Sequence, residues 1–144
     1  MRTLQRMALA VAIAVLGTTL VNASPAAALP ICNTFKDVTS TDGSGKKVWV
    51  PATWGGDVSC TLHEGILDNQ AVSVLQGTLN YCYGMNLTVD GDFGPKTESA
   101  LMEVQRLYGL DDDGWYGVYT RDKISHEPYD YQAICRKYNG PGGY

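Results

Sequence analysis

The sequence predicts a mainly α fold, a three-helix bundle that follows an irregular or β-rich, disulfide-stapled N-terminal segment. The first observation behind this prediction is a short internal repeat. The pattern Asp-Gly-x-x-Gly-x-x-Thr begins at Asp90 and again at Asp113, and each copy has the composition of a turn that opens a helix. The second is that apolar residues at helical spacing precede the first copy and separate it from the second.

Residues 1–28 have the features of an export signal that is removed. Arg2 and Arg6 form a basic start, residues 7–16 are an uncharged apolar run, and Ala26 and Ala28 fit an A-x-A cleavage site. Cleavage after residue 23 is the alternative. A membrane helix needs about 20 apolar residues, and polar residues interrupt this run too early. We therefore expect an exported protein, secreted or located in the cell wall, that starts at residue 29.

The charge balance excludes two classes of partner. Without Arg2 and Arg6, the 11 basic residues fall to nine against 15 acidic ones, a formal charge of −6. Nucleic-acid binding requires basic residues that neutralise phosphates, and the sequence has no Lys/Arg cluster. We expect no nucleic acid and no membrane as partners. The length that remains suits one modest domain, which we expect to be a monomer.

All four cysteines lie after the predicted signal. An even count in a small exported chain indicates two disulfides, for which three connectivities are possible. We favour Cys32–Cys60, which would cross-link the N-terminal segment, together with Cys82–Cys135, which would close the helical segment. A zinc site would need paired C-x-x-C spacings, and these are missing from the sequence.

Residues 29–68 are rich in Thr, Ser and Gly and show no helical period, so they are predicted to be an irregular lead-in. A turn at residues 41–45 precedes a short strand at 46–51, which Pro51 is expected to end. A second turn follows at residues 52–56. For Trp49 and Trp54 we favour packing against the helical part over stacking on a sugar.

The predicted three-helix domain spans residues 69–128. Its first helix runs from Asn69 to about Tyr81, with a cap from Asp68 or Asn69 and a stop at Gly84. Pro95 suits the first position of the second helix, which Gly109 ends. The apolar stripe of that helix is Ala100, Leu101, Val104, Leu107 and Tyr108.

The third helix is predicted from Val118 to about Ser125 and is limited by Pro128. Residues 129–144 form a C-terminal tail that contains Cys135. Its glycine-rich end, from Asn139 onward, is expected to fray.

The repeated turns are predicted to be structural. Asp90 and Asp113 would hold the turns by hydrogen bonds to backbone amides, and the repeat places glycines at Gly91, Gly94, Gly114 and Gly117. A calcium-binding EF-hand loop has a glycine at position 6 and needs a Glu at position 12. If Gly91 or Gly114 is placed at position 6, position 12 is Thr97 or Thr120. We therefore expect no metal and no cofactor.

Catalytic motifs are not found either. His63 and His126 lie outside any H-E-x-x-H spacing, and no serine lies in a nucleophile elbow. Carboxylate pairs such as Glu64 and Asp68 are more simply explained as solvated surface charges. We expect that the protein is not an enzyme.

The ordered motifs resemble the peptidoglycan-binding domain 1 family over residues 69–124. The resemblance is carried by Val74-Leu75-Gln76, Tyr83-Gly84, both Asp-Gly turns, Ala100-Leu101, Val104-Gln105 and Gly109-Leu110. The sequence departs from the family at Val104, where an aromatic residue is usual, and at Ile124, which lacks the usual nearby Trp. The cysteine-bearing parts resemble small secreted actinobacterial proteins that carry this module alone. The resemblance implies a three-helix module that binds cell-wall peptidoglycan.

Aromatic and polar side chains near the second turn are the predicted ligand-binding residues. They suit stacking on sugars and hydrogen bonding to peptides, and they are Trp115, Tyr116, Tyr119, Arg121 and Tyr83. We expect Phe93 of the first turn to point inward and Trp115 and Tyr116 to point outward, although Trp115 also suits a core position. The predicted function is non-catalytic peptidoglycan binding. The alternatives are a small wall hydrolase and a structural or inhibitory partner of a wall enzyme.

Overall fold

The protein is described by a computed structural model over residues 28–130 and 134–141, so the predicted export signal, apart from Ala28, lies outside the described residues. That part contains three helices, α1 (Gln70–Tyr83), α2 (Pro95–Leu107) and α3 (Val118–Lys123). It also contains four strands, β1 (Thr34–Thr39), β2 (Lys47–Ala52), β3 (Ser125–His126) and β4 (Arg136–Lys137). With 30% helix and 19% strand, the three predicted helices are present but the mainly α expectation is confirmed only in part.

The lead-in forms a β-hairpin, of which the sequence indicated one strand. β1 pairs antiparallel with β2, with Thr34 opposite Ala52 and Thr39 opposite Lys47. The predicted turn at residues 41–45 connects them, and Gly43 has a φ of 80°. Pro51 does not end the strand but lies within it. The hairpin contributes Val38, Val48, Val50 and Ala52 to a small apolar core, to which Val58 is added from the segment after β2.

The two lead-in tryptophans have different surroundings. Trp49 is half-buried between two other rings, with its centroid 5.7 Å from that of Phe35 and 5.9 Å from that of Tyr129. The contact with Phe35 joins β2 to β1, and such cross-strand aromatic contacts stabilise a sheet. Trp54 is 75% exposed, so the packing predicted for it is wrong.

The helix boundaries follow local capping. Asn69 caps α1, because its Oδ1 accepts hydrogen bonds from the amides of Ala71 and Val72. Gly84 ends α1 in the left-handed conformation, with a φ of 70°. Pro95 occupies the first turn of α2, as predicted. α3 is shorter than predicted, because Ser125 and His126 form β3 instead.

The main core lies between the three helices and the segment that contains Cys60 and Leu62. Its buried members include Leu75, Leu79, Phe93, Leu101, Val104, Tyr116 and Ile124. Leu107, which the periodicity assigned to the core, is 69% exposed at the last position of α2. Both favoured disulfides, Cys32–Cys60 and Cys82–Cys135, are present.

The described part of the C-terminal tail is packed, so the expectation that it frays is wrong for residues 139–141. β4 pairs antiparallel with β3. The amide of Gly140 donates to Asp122 Oδ1 at 2.9 Å, and Arg121 Nη2 donates to the carbonyl of Pro141 at 3.0 Å. The tail is therefore attached to α3. Within the described ranges, no helix is long and apolar enough to cross a membrane.

Candidate functional site

A buried glutamine organises each of the two repeated turns. Gln105 of α2 is 1% exposed. Its Nε2 lies 2.8 Å from Asp113 Oδ1, 3.0 Å from the carbonyl oxygen of Trp115 and 3.1 Å from Thr120 Oγ1. Its Oε1 accepts a hydrogen bond from the amide of Gly114 at 2.9 Å. One side chain thus satisfies both the turn and the start of α3.

Gln76 of α1 repeats this arrangement at the first turn. Its Nε2 lies 2.9 Å from Asp90 Oδ1, 3.0 Å from the carbonyl oxygen of Asp92 and 3.1 Å from Thr97 Oγ1. Its Oε1 accepts hydrogen bonds from the amides of Asp90 and Gly91. The sequence repeat therefore includes a glutamine from the preceding helix.

The aspartates hold the turns as predicted. Asp90 Oδ1 accepts the amide of Asp92 at 3.0 Å, and Asp113 Oδ1 accepts the amide of Trp115 at 2.9 Å. The hydrogen bonds from the Asp92 amide and the Gln76 side chain lower the pKa of Asp90. The turn at Gly114 requires glycine, because its φ is 72° and a Cβ atom would lie 2.6 Å from Glu98 Cγ.

A groove of about 340 Å³ lies beside the second turn. Trp115 and Tyr119 contribute its large side chains and are 50% and 54% exposed. The other lining residues are Leu29, Thr61, Gln105, Gly109, Leu110, Asp111, Asp113, Gly117 and Thr120. We call this the aromatic groove.

His63 supports the aromatic side of this groove. Leu62 and Tyr116 exchange two backbone hydrogen bonds, at 2.9 and 2.8 Å, which brings the next residue of the lead-in beside Trp115. The His63 and Trp115 rings stack with their centroids 4.5 Å apart and their planes at 26°. This contact restricts the indole before any ligand arrives. His63 and Trp115 are far apart in the sequence, so the pattern of residues around His63 indicated no stacking role.

The structure separates the five predicted ligand-binding residues. Trp115 and Tyr119 line the aromatic groove. Tyr116 and Arg121 are fully buried. The outward position predicted for Tyr116 is therefore wrong, and Arg121, predicted as a ligand-binding residue, has no exposed surface to offer a ligand. Tyr83 is half-buried, and its hydroxyl accepts a hydrogen bond from the amide of Ser125 at 2.6 Å. Tyr83 does not line the groove.

The repeat explains why Tyr116 points inward. Tyr116 and Phe93 occupy the same offset from their Asp-Gly pairs, and both are fully buried. Trp115 corresponds to Asp92, which is exposed. Burial raises the pKa of the Tyr116 hydroxyl. The inward and outward positions are therefore the same in both copies.

Arg121 joins distant parts of the chain. Its Nε lies 2.7 Å from Asp122 Oδ1, and its Nη1 donates to the carbonyl of Val58 at 2.9 Å. Its carbonyl oxygen lies 2.8 Å from His126 Nε2, and burial lowers the pKa of His126 to about 4. A buried charge pair with these bonds is structural, because removing one partner would leave the other charge uncompensated.

Metal ligands are not grouped in the part of the chain that the structure describes. Among those residues, no three or more His, Cys, Asp or Glu side chains are placed so that they could hold one ion. The site offers aromatic faces, carboxylates and hydroxyls.

Comparisons with known proteins confirm the resemblance over the helical segment. Residues 68–124 match the sequence model of a family described as a putative peptidoglycan binding domain. The matched segment contains both Gln-organised turns and all lining residues of the aromatic groove except Leu29 and Thr61.

Two individual proteins are similar to parts of the chain. A zinc D-Ala-D-Ala carboxypeptidase of Streptomyces albus G is 40% identical over 79 residues, which cover 50% of this chain and 27% of that enzyme. The chain thus spans about a quarter of this relative's length. A crystal structure of a peptidoglycan-binding protein from Clostridioides difficile, in complex with glutamine hydroxamate, has 23% identity and a TM-score of 0.43, covering 58% of this chain and 51% of that one.

Proposed function

We propose that the protein is an exported, non-catalytic module that binds cell-wall peptidoglycan in the aromatic groove. The observation that carries this proposal is the placement of Trp115 and Tyr119 at the groove, since both belong to the segment that matches the peptidoglycan-binding family model. Ligand sites are typically concave, with aromatic walls and a few polar groups that fix orientation.

The chemistry of the groove suits a glycan. Sugar rings present apolar faces that stack on indole and phenol rings. Asp113 uses Oδ1 within the turn, and its other carboxylate oxygen can accept a hydrogen bond from a sugar hydroxyl or acetamide N–H. Because His63 already stacks on one face of Trp115, the indole loses less conformational freedom when a ligand binds.

Sedimentation with purified insoluble cell wall tests the proposal. The wild-type protein should pellet with the wall, and Trp115→Ala should weaken the apparent affinity about tenfold, as expected when an aromatic contact is removed. Trp54→Ala is the matched control, because Trp54 is 75% exposed but lies outside the groove. A folded wild-type protein that stays in the supernatant would contradict the proposal.

A wall-hydrolase function is the alternative that the carboxypeptidase relative suggests. That similarity covers 27% of the enzyme, and the described residues supply no metal-binding group of His, Cys, Asp or Glu. Zymography on purified wall distinguishes the two functions. A lysis band that Glu64→Gln abolishes would favour hydrolysis, whereas binding without a band would favour the module.

A further inference from the structure

We propose that a second groove, beside the first turn, binds a short peptide that carries both an ammonium and a carboxylate group. This inference rests on the proposed function, since peptidoglycan contains short peptides as well as glycan. The second groove has a volume of about 460 Å³, which is within the usual range for small-ligand sites. We call it the charged groove.

The charged groove is an internal copy of the aromatic groove. Its floor is built by Gln76, Asp90 and Thr97, and the aromatic groove uses Gln105, Asp113 and Thr120 in the same hydrogen-bonding pattern. The walls also correspond. Leu87 and Leu110 precede their aspartates by the same offset, and each lines its own groove. Two concave sites of one design therefore lie on a single module.

The side chains at the rim differ in chemistry between the copies. Asp92 occupies the offset of Trp115, and Lys96 occupies the offset of Tyr119. The aromatic pair that suits a sugar face is thus replaced by a carboxylate and an ammonium. A ligand that stacks in the first site would find no ring at the corresponding positions of the second.

The charged groups are available to a ligand. Asp92 Oδ1 accepts the amide of Asp68 at 2.9 Å, and Oδ2 has no hydrogen-bond partner among residues 28–130 and 134–141. Lys96 is exposed at the start of α2 and makes no ion pair with any described residue. Its ammonium group can bind a carboxylate, and Asp92 can bind an ammonium.

Charge complementarity selects a zwitterion over a simple anion. Asp90 and Asp92 together outweigh Lys96, so the groove carries a net negative charge and repels a ligand that has only carboxylates. A peptide with a free side-chain amine and a terminal carboxylate matches both signs. Leu87 and Pro95 provide apolar surface for the aliphatic part of such a peptide.

Titration of the folded protein with a synthetic tripeptide, L-Ala-γ-D-Glu-L-Lys, tests the inference by NMR. Two modified probes remove one charge each, by acetylation of the lysine amine or by amidation of the C terminus. Asp92→Asn and Lys96→Gln remove the matching protein charges. Their controls are Asp57→Asn and Lys46→Gln, both at positions outside the groove. Like Asp92, Asp57 accepts a backbone amide through Oδ1, in its case that of Ser59.

We expect each probe modification to weaken wild-type binding about three- to fivefold, the range of exposed charge pairs. Acetylation should have no further effect in Asp92→Asn, and amidation none in Lys96→Gln. The two control variants and Trp115→Ala should bind all probes as the wild type does. The inference would be overturned if Asp92→Asn and Lys96→Gln lost as much affinity on both probe modifications as the wild type does. It would also be overturned if the wild type did not bind the tripeptide.

The wall-sedimentation assay separates this inference from the proposed function. If the wild type pellets with wall but does not discriminate between the tripeptides, the charged groove is not a peptide subsite and the aromatic groove remains. If the wild type stays in the supernatant, peptidoglycan binding is wrong, and the tripeptide titration still reports whether the charged groove binds a zwitterion.

Discussion

Replacement of Gln105 by leucine tests whether the buried glutamine holds the second turn. Leucine fills a similar volume but removes one acceptor and the Nε2 donor group. The amide of Gly114 is buried and loses its partner, which costs about 1–3 kcal/mol. The hydrogen bond to the Asp113 carboxylate is also lost, and bonds to charged groups contribute about 1.5–3 kcal/mol.

Part of this loss is recovered. The exposed carboxylate of Asp113 can be rehydrated, and the carbonyl of Trp115 keeps its hydrogen bond from Thr120 at 3.2 Å. We therefore expect Gln105→Leu to lower the free energy of unfolding by about 3 kcal/mol. This is a large fraction of the total for a domain of this size.

Urea denaturation followed by circular dichroism measures the effect. With an m-value of about 2 kcal/mol/M, the midpoint should fall by about 1.5 M. Asn80→Leu on α1 is the comparison variant. Asn80 also exchanges side-chain hydrogen bonds with backbone groups, those of Leu87, but it lies outside the repeated turns. A Gln105→Leu protein within about 0.5 kcal/mol of the wild type, the usual range of surface substitutions, would refute the reasoning.

Three further predictions concern the frame around the grooves. Burial lowers the pKa of His126 from 6.5 to about 4. Between these two pH values the His126 ring is protonated in the unfolded chain but neutral in the folded protein. The free energy of unfolding should therefore fall by up to about 3 kcal/mol as the pH drops through this interval, a loss that urea titrations should show and that His126→Gln should remove. Gly114→Ala combines a positive φ with a Cβ contact at 2.6 Å to Glu98 and should lower stability by about 1–3 kcal/mol in the same assay; unchanged stability would contradict the turn geometry. Replacing Cys82 and Cys135 by alanine removes a link across 53 residues and should cost about 4 kcal/mol, whereas a loss below about 1 kcal/mol would show that the unfolded chain is not constrained by it.

Features that depend on nearby backbone groups could be predicted from the sequence. Asn69 and Gly84 bound α1, and Pro95 begins α2, because caps and first-turn prolines act within a few residues of the chain. The aspartates of the repeat hold their turns for the same reason. The favoured disulfide pairing is an exception, because it joins residues 28 and 53 apart in the chain and is chosen from three connectivities by the position of the segments.

Features that depend on distant contacts could not. β1 shows no alternation of apolar and polar residues, and its pairing with β2 comes from the hairpin as a whole. Arg121 is predicted to be a ligand residue because it is charged and close to aromatic residues in the sequence, but its side chain binds the carbonyl of Val58, 63 residues away. Tyr116 could have been assigned correctly, since the repeat aligns it with Phe93.

The indole signals of the three tryptophans give the most direct test of the aromatic groove. In a protein with 15N-labelled tryptophan, titration with soluble muropeptides should shift the Nε1–H signal of Trp115, which the Trp115→Phe variant assigns. The signal of Trp54 should stay in place, since that side chain is 75% exposed but lies outside the groove. A Trp115 signal that does not move at saturating ligand, or a Trp54 signal that moves as far, would contradict the account.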